Sequence, residues 1–182
     1  GGAYQGGNIT TGFQPDLVWI KAREEVYAQL INDSLRGTGV ELRANETTAQ
    51  NTRIDIYGNA DGLTSFNSTG FSVGTNAAYN DSSKGMVAWC WKAGGAPADN
   101  KMMKDGEPFD VPTTGSITPT KMSVNTKAGF SIVKYQGNKT VGDTIPHGLN
   151  KAPDMVILKN LDVNSSSSWQ VSLNSKVTGS KG

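Results

Sequence analysis

Short apolar runs separated by turn-forming residues are the dominant pattern along the chain. Runs of this kind, bounded by Gly, Pro, Asn, Asp and Ser, predict β-strands. The predicted strands are Leu17–Ile20, Phe71–Val73, Met86–Trp91, Phe130–Tyr135 and Met155–Leu158. The first, third and fifth are apolar at every position, so we expect them to need cover on both faces. The fourth alternates better and suits a strand with one face in solvent.

The stretch Glu24–Ile31 fits two patterns. Good helix formers and the i, i+4 pair Val26 and Leu30 favour a helix. The stretch is short, however, and Val26, Ala28 and Leu30 also fit a period of two. We interpret it as a strand, with a helix as the alternative.

The composition restricts the fold class. Gly, Ser, Thr and Asn account for 70 of the 182 residues. These residues favour turns and caps over helix interiors, so long helices cannot dominate. The sequence therefore predicts an all-β fold, a jelly-roll-like β-sandwich.

A Gly- and Pro-rich segment divides the chain. It begins near Gly94-Gly95-Ala96-Pro97 and contains further prolines up to Pro119. We expect residues 1–94 to form a β-sandwich module and residues 95–128 a linker or surface excursion, with a small hairpin at Lys104–Glu107. Residues 129–182 are expected to form a second β unit, either incomplete or packed on the first.

The two units share an internal repeat. Tyr4–Gly6 recurs as Tyr135–Gly137, and Pro15–Lys21 recurs as Pro153–Lys159. The shared frame is Pro-Asp, four apolar residues and Lys. Pro-Asp favours a turn, the apolar run is buried, and Lys marks the exit from the strand. Tandem β units of this kind are typical of elongated modular proteins.

Several motifs together resemble a repeated module of marine, cyanophage-like tailed-phage virion proteins, usually described as tail-fibre-like. The motifs are Gly12–Lys21, Thr64–Phe71, Val87–Gly95, Ala128–Tyr135 and His147–Met155. The resemblance implies a lectin-like β-sandwich in the virion, with a role in attachment to the host surface. It also implies homo-oligomers, such as a trimer or a run of modules along a fibre, and contacts with other virion proteins. It supplies no catalytic or ligand-binding residues.

Charge and residue counts exclude several classes of partner and cofactor. With 17 basic and 16 acidic residues, the chain has no strong field for nucleic acid or an anionic membrane. Its apolar runs are too short to span a bilayer. One His and one Cys exclude the usual zinc sites. We therefore predict no cofactor, no metal and no membrane insertion.

The only candidate catalytic pattern is Gly70–Gly74, which fits Gly-x-Ser-x-Gly around Ser72. That motif requires a strained turn followed by a helix, and the following residues are typical of a loop. The only possible histidine base, His147, lies in a predicted turn. We therefore predict a non-enzymatic protein. The alternatives to host attachment are a capsid-surface fibre or decoration protein and a polysaccharide-degrading virion enzyme.

Aromatic side chains are the remaining candidates for ligand binding, because Trp and Tyr can stack on sugar rings. Trp169 and Tyr79 flank polar loops and are the predicted binding residues for a host cell-surface glycan. Trp19, Trp89 and Trp91 lie within apolar runs, so we expect them to pack in the core.

Overall fold

The computed structural model is nearly all-β, and it describes residues 7–53, 61–98, 101–162 and 167–174. A single helical turn in these ranges, α1 (Ala77–Asn80), follows β7. In chain order the strands are β1 Gly7–Thr10, β2 Leu17–Ala22, β3 Leu30–Asp33, β4 Val40–Arg43, β5 Asn51–Thr52, β6 Leu63–Asn67, β7 Gly70–Val73, β8 Met86–Trp91, β9 Met102–Lys104, β10 Glu107–Phe109, β11 Pro119–Asn125, β12 Phe130–Tyr135, β13 Met155–Leu158 and β14 Gln170–Leu173.

All five strands predicted from the apolar runs are confirmed. The ambiguous stretch Glu24–Ile31 is not a helix, and only its last two residues belong to a strand, β3. The residues before Leu30 form the connection between β2 and β3, where Val26 is 99% exposed. The strand interpretation is therefore correct for Leu30 and Ile31 and wrong for residues 24–29.

Two sheets pack face to face around the main core. The first has five strands in the order β5-β4-β3-β2-β8, and the second has three in the order β1-β7-β6. Most pairings are between antiparallel neighbours, as expected for hairpin-rich β folds. The core side chains between them are Val18, Ile20, Leu30, Leu63, Phe71, Val73 and Tyr79. The all-β sandwich arrangement is thus observed, whereas jelly-roll connectivity stays a prediction.

Residues 95–128 contain more regular structure than a linker. Strands β9, β10 and β11 lie in this segment and form a four-stranded sheet with β12, in the order β10-β9-β11-β12. Asp105 and Gly106 both have positive φ, 55° and 94°, as a tight hairpin turn requires. The predicted hairpin at Lys104–Glu107 is confirmed. Met102, Met122 and Val124 form a small second core that holds this sheet together.

The predicted second unit, residues 129–182, is divided between two sheets. β12 completes the four-stranded sheet, whereas β13 and β14 pair only with each other in the described part of the chain. A Pro-Asp pair directly precedes both β2 and β13, whereas the internal repeat as a whole stays a prediction. The other repeated element, Tyr4–Gly6, lies outside the described residues.

Candidate functional site

Three tryptophans of the five-stranded sheet and one phenylalanine of β12 form a cluster of aromatic side chains. We call Trp19, Trp89, Trp91 and Phe130 the aromatic surface. Trp19 on β2 and Trp89 on β8 are cross-strand partners. Their ring centroids are 5.7 Å apart, with planes inclined by 57°. Trp91 stacks on Phe130 of β12 at 6.3 Å and 23°. Because alternate residues of a strand point to one face, the two tryptophans of β8 lie side by side.

The tryptophans of β8 are exposed, contrary to the prediction that they pack in the core. Trp89 is 47% and Trp91 36% exposed. β8 is the edge strand of its sheet, and its opposite face packs Met86 and Cys90 against the main core. An all-apolar strand gives no alternation of polarity to indicate which face is buried. Trp19 is half-buried, and its Nε1 has no hydrogen-bond partner among the described residues.

Asp16 fixes the end of β8 that carries Trp91. Its backbone N–H donates to the Trp91 carbonyl at 2.8 Å. Its buried carboxylate accepts hydrogen bonds from the amides of Ala93 at 2.7 Å and Gly95 at 3.2 Å, and from the Ser34 hydroxyl at 2.9 Å. Burial raises the pKa of Asp16, and these hydrogen bonds oppose the rise. Asp16, the residue before β2, therefore holds the backbone after Trp91 in place.

Tyr79, one of the two predicted binding residues, is a core residue. It is 3% exposed. Its hydroxyl donates to Glu41 Oε2 at 2.9 Å and lies 2.9 Å from Asn32 Oδ1. The buried Glu41 carboxylate also accepts from Arg43 and Arg53, at 3.1 and 3.0 Å. Burial, and then the charge of Glu41, raise the pKa of Tyr79 well above its usual range. Its ring therefore has no open face on which a sugar could stack.

Trp169, the other predicted binding residue, is half-buried and anchors the β13–β14 hairpin. Its Nε1–H donates to the Arg43 carbonyl at 3.0 Å, across 126 residues of chain. A second anchor is the Lys159 ammonium, which donates to the Thr47 carbonyl at 3.2 Å. The indole N–H of Trp169 is thus occupied within the chain, and a role for its ring in sugar binding stays a prediction.

Ser72 and His147 lie in separate, different environments. Ser72 is in the regular strand β7, and its hydroxyl accepts from Asn67 Nδ2 at 2.9 Å. His147 lies in a turn, where Nδ1 accepts from the Leu149 amide at 3.1 Å. It lines a shallow depression of about 460 Å³ together with Lys104. Ser72 therefore lies in an extended strand and not in the strained turn that a nucleophilic Ser requires.

The remaining candidates for chemistry are few. Cys90 is half-buried against the main core, and burial raises the pKa of its thiol, which suits a packing role. Across residues 7–53, 61–98, 101–162 and 167–174, no three His, Cys, Asp or Glu side chains are grouped to hold a metal ion. Nor does any helix in those ranges have the length and apolar character to cross a membrane.

Fold and surface together define an all-β protein with exposed tryptophans on an edge strand. The chain belongs to the family described as Domain of unknown function (DUF7483), whose model matches residues 1–181. No curated protein and no solved structure matches the chain. The family description assigns no activity, so a functional proposal depends on the residues themselves.

Proposed function

We propose that the protein is a structural module of a virion, tail-fibre-like in character, that attaches to glycans on the host cell surface. The observation that carries the proposal is the exposure of Trp89 and Trp91 on one face of β8. Large aromatic side chains exposed together on a soluble protein mark interaction surfaces. The sequence resemblance to tail-fibre-like virion proteins supplies the biological setting.

The aromatic surface suits sugar binding for a geometric reason. Trp89 and Trp91 are two positions apart on a strand, so their attachment points are separated by roughly 7 Å. Each can present a ring face to the C–H groups of a different sugar residue, while the indole N–H groups reach hydroxyls. Trp19 packs against the Trp89 ring in a tilted arrangement, and Phe130 stacks on the Trp91 ring. Such preorganised rings lose little conformational entropy on binding.

The attachment role includes self-association and contact with other virion proteins. A trimer or a run of modules would multiply weak glycan contacts into firm attachment, because linked sites raise the effective concentration of the ligand. A capsid decoration protein would assemble in the same way without a glycan ligand. A polysaccharide-degrading enzyme would release reducing ends from host capsule.

A glycan array followed by titration calorimetry tests the proposal. We expect Trp89→Ala and Trp91→Ala each to weaken binding of the best array ligand about tenfold, or about 1.4 kcal/mol. Val26→Ala is the matched control, since Val26 is an exposed apolar residue outside the aromatic surface. It should leave the affinity unchanged. No array ligand, or equal affinity for all variants, would overturn the proposal, and reducing ends released from capsule would favour the enzyme.

A further inference from the structure

The β13–β14 hairpin exposes apolar side chains on both of its faces. It is a sheet of two strands, which is marginally stable on its own in water. Between 37% and 60% of each of six apolar side chains is exposed. They are Met155, Val156, Ile157, Leu158, Val171 and Leu173. The hairpin therefore presents a surface that favours a partner.

The β2–β3 hairpin shows how the same frame is organised when it is covered. Leu17, the residue after Pro-Asp, pairs with the last residue of β3, and Met155 pairs likewise with the last residue of β14. In both hairpins the Asp carbonyl accepts a backbone amide just beyond the second strand. Asp16 accepts from Ser34 at 2.8 Å, and Asp154 from Asn174 at 2.7 Å.

The Lys that ends each frame also makes matching contacts. Lys21 Nζ donates to the carbonyls of the next residue, Ala22, and of Glu25 in the hairpin loop, both at 2.6 Å. Lys159 Nζ donates to the carbonyl of its own next residue at 3.2 Å and to Ser167 in its loop at 2.9 Å. The two hairpins are therefore equivalent from the Pro-Asp turn to the Lys.

Among the described strands, β2 has a further partner and β13 does not. Strand β8 pairs antiparallel with β2 from Leu17↔Trp91 to Ala22↔Met86. The chain after β8 is then held by the Asp16 carboxylate through backbone amides. In the described ranges β13 pairs with β14 alone, and the equivalent Asp154 is exposed. In the part of the chain that the structure describes, one edge of β13 and the Asp154 carboxylate therefore have no partner equivalent to β8.

We infer that β13 accepts a strand of the β8 type from another copy of the repeated unit, in which that strand is not already paired with a β2 strand. The donor has the pattern of Met86–Trp91 followed by Lys-Ala-Gly-Gly. Its Trp91 position lies opposite Met155, and its Ala88 position opposite Leu158. The small residues after the strand bring their amides to the Asp154 carboxylate, as Ala93 and Gly95 do at Asp16. This inference is independent of glycan binding.

The pattern of the donor fits the acceptor chemically. Alternate apolar side chains of such a strand extend both faces of the hairpin, so the exposed β13 residues gain neighbours on each side. Its backbone satisfies the free edge of β13, which is otherwise a template for nonspecific pairing. A lysine follows the strand at position 92, near the acceptor carboxylate. Strand addition of this kind obtains affinity from main-chain hydrogen bonds and specificity from the side-chain pattern.

A peptide covering residues 84–95, with Cys90→Ala to prevent oxidation, tests the inference on the full chain. We expect saturable one-to-one binding by calorimetry, and at least tenfold slower hydrogen exchange of the amides in β13. A peptide of scrambled order is the control and should do neither. Absence of saturable binding, or protection confined to other strands, would overturn the inference.

Asp154→Ala tests the register. We expect it to weaken peptide binding at least tenfold, because two donor amides lose their acceptor. Asp162→Ala removes another exposed carboxylate beyond the end of β13. This variant should bind the peptide as tightly as the unaltered chain does. Equal affinity for both variants would contradict the proposed register. A different outcome is a stable dimer that the peptide fails to dissociate and in which the β13 amides are protected from hydrogen exchange. It would show that β13 pairs with the β13 strand of a second chain instead.

Discussion

The Asp16 carboxylate accepts a hydrogen bond from the Ala93 amide at 2.7 Å, across 77 residues of chain. Both groups are buried, so neither has water as an alternative partner. The bond joins the turn before β2 to the chain that leaves β8. Asp16 thus acts as a clamp on the chain that leaves β8, whereas Asp154, which follows Pro153 in the same way, is exposed and has no such partner segment among the described residues.

Removal of this clamp should destabilise the protein. Asp16→Ala leaves the amides of Ala93 and Gly95 without their acceptor, and each unsatisfied buried donor costs about 1–3 kcal/mol. We expect the free energy of unfolding in urea to fall by about 3 kcal/mol. Asp154→Ala is the control and should change it by less than about 0.5 kcal/mol. Equal losses for the two variants would contradict the assignment of the clamp.

Because of the Tyr79 hydroxyl, the free energy of unfolding should fall as the pH rises above 10. Its pKa is higher in the folded protein than its ordinary value near 10. The stabilisation is therefore complete below pH 10 and is lost as the pH rises further, because the unfolded chain releases the phenolic proton first. We expect Tyr79→Phe to cost about 1–3 kcal/mol at pH 7.

The difference in the free energy of unfolding between the Tyr79→Phe variant and the unaltered protein should become smaller between pH 10 and 11. Urea unfolding at pH 7, 9, 10 and 11 measures this difference. Since other tyrosines titrate equally in both proteins, the difference isolates Tyr79. A constant or widening difference would show that the hydroxyl is not held by Glu41.

Gly94 should tolerate no side chain. A Cβ there would lie 2.5 Å from the Val124 carbonyl oxygen and 2.6 Å from that of Met103. Both are backbone atoms, so the four-stranded sheet would have to shift, at a cost of about 1–3 kcal/mol. Gly137→Ala is the matched control because nothing lies within 4 Å of its Cβ position. The midpoint temperature of thermal unfolding should fall by several degrees for Gly94→Ala and stay unchanged for Gly137→Ala.

Trp169 should hold the β13–β14 hairpin against the rest of the molecule. Trp169→Phe keeps an aromatic ring but removes the donor to the Arg43 carbonyl, at a cost of about 1 kcal/mol. Hydrogen exchange in β13 and β14 should then accelerate roughly fivefold, while β2 exchanges at its original rate. Unchanged exchange in the hairpin would mean that its other contacts suffice.

Local patterns predicted five of the fourteen described strands from apolar runs and two more from a hairpin turn. Each apolar run became a strand, and the Pro-Asp turn marked where β2 and β13 begin. The turn at Asp105-Gly106 predicted its hairpin for the same reason, since positive φ is a local preference. These features follow from residues close in sequence, so no knowledge of the fold was needed.

The exposure of particular side chains was not predictable in this way. Tyr79 flanks a polar loop, yet it is buried because Glu41, 38 residues earlier, supplies an acceptor within the core. Trp89 lies in an apolar run, yet it is exposed because it is on the face of β8 opposite to Met86 and Cys90, which pack on the main core. Both outcomes depend on which distant segments become neighbours.

The sequence by itself determined the strand-rich class, the Asp105-Gly106 turn and the similarity of the residues in the two Pro-Asp frames. Tertiary structure alone decided that Asp16 would hold the chain after β8 and that Asp154 would remain exposed. The residues of the two frames are alike, so the frames cannot encode the difference. It arises because β8 returns to pair with β2, and a long-range pairing of that kind depends on the whole chain rather than on any local pattern.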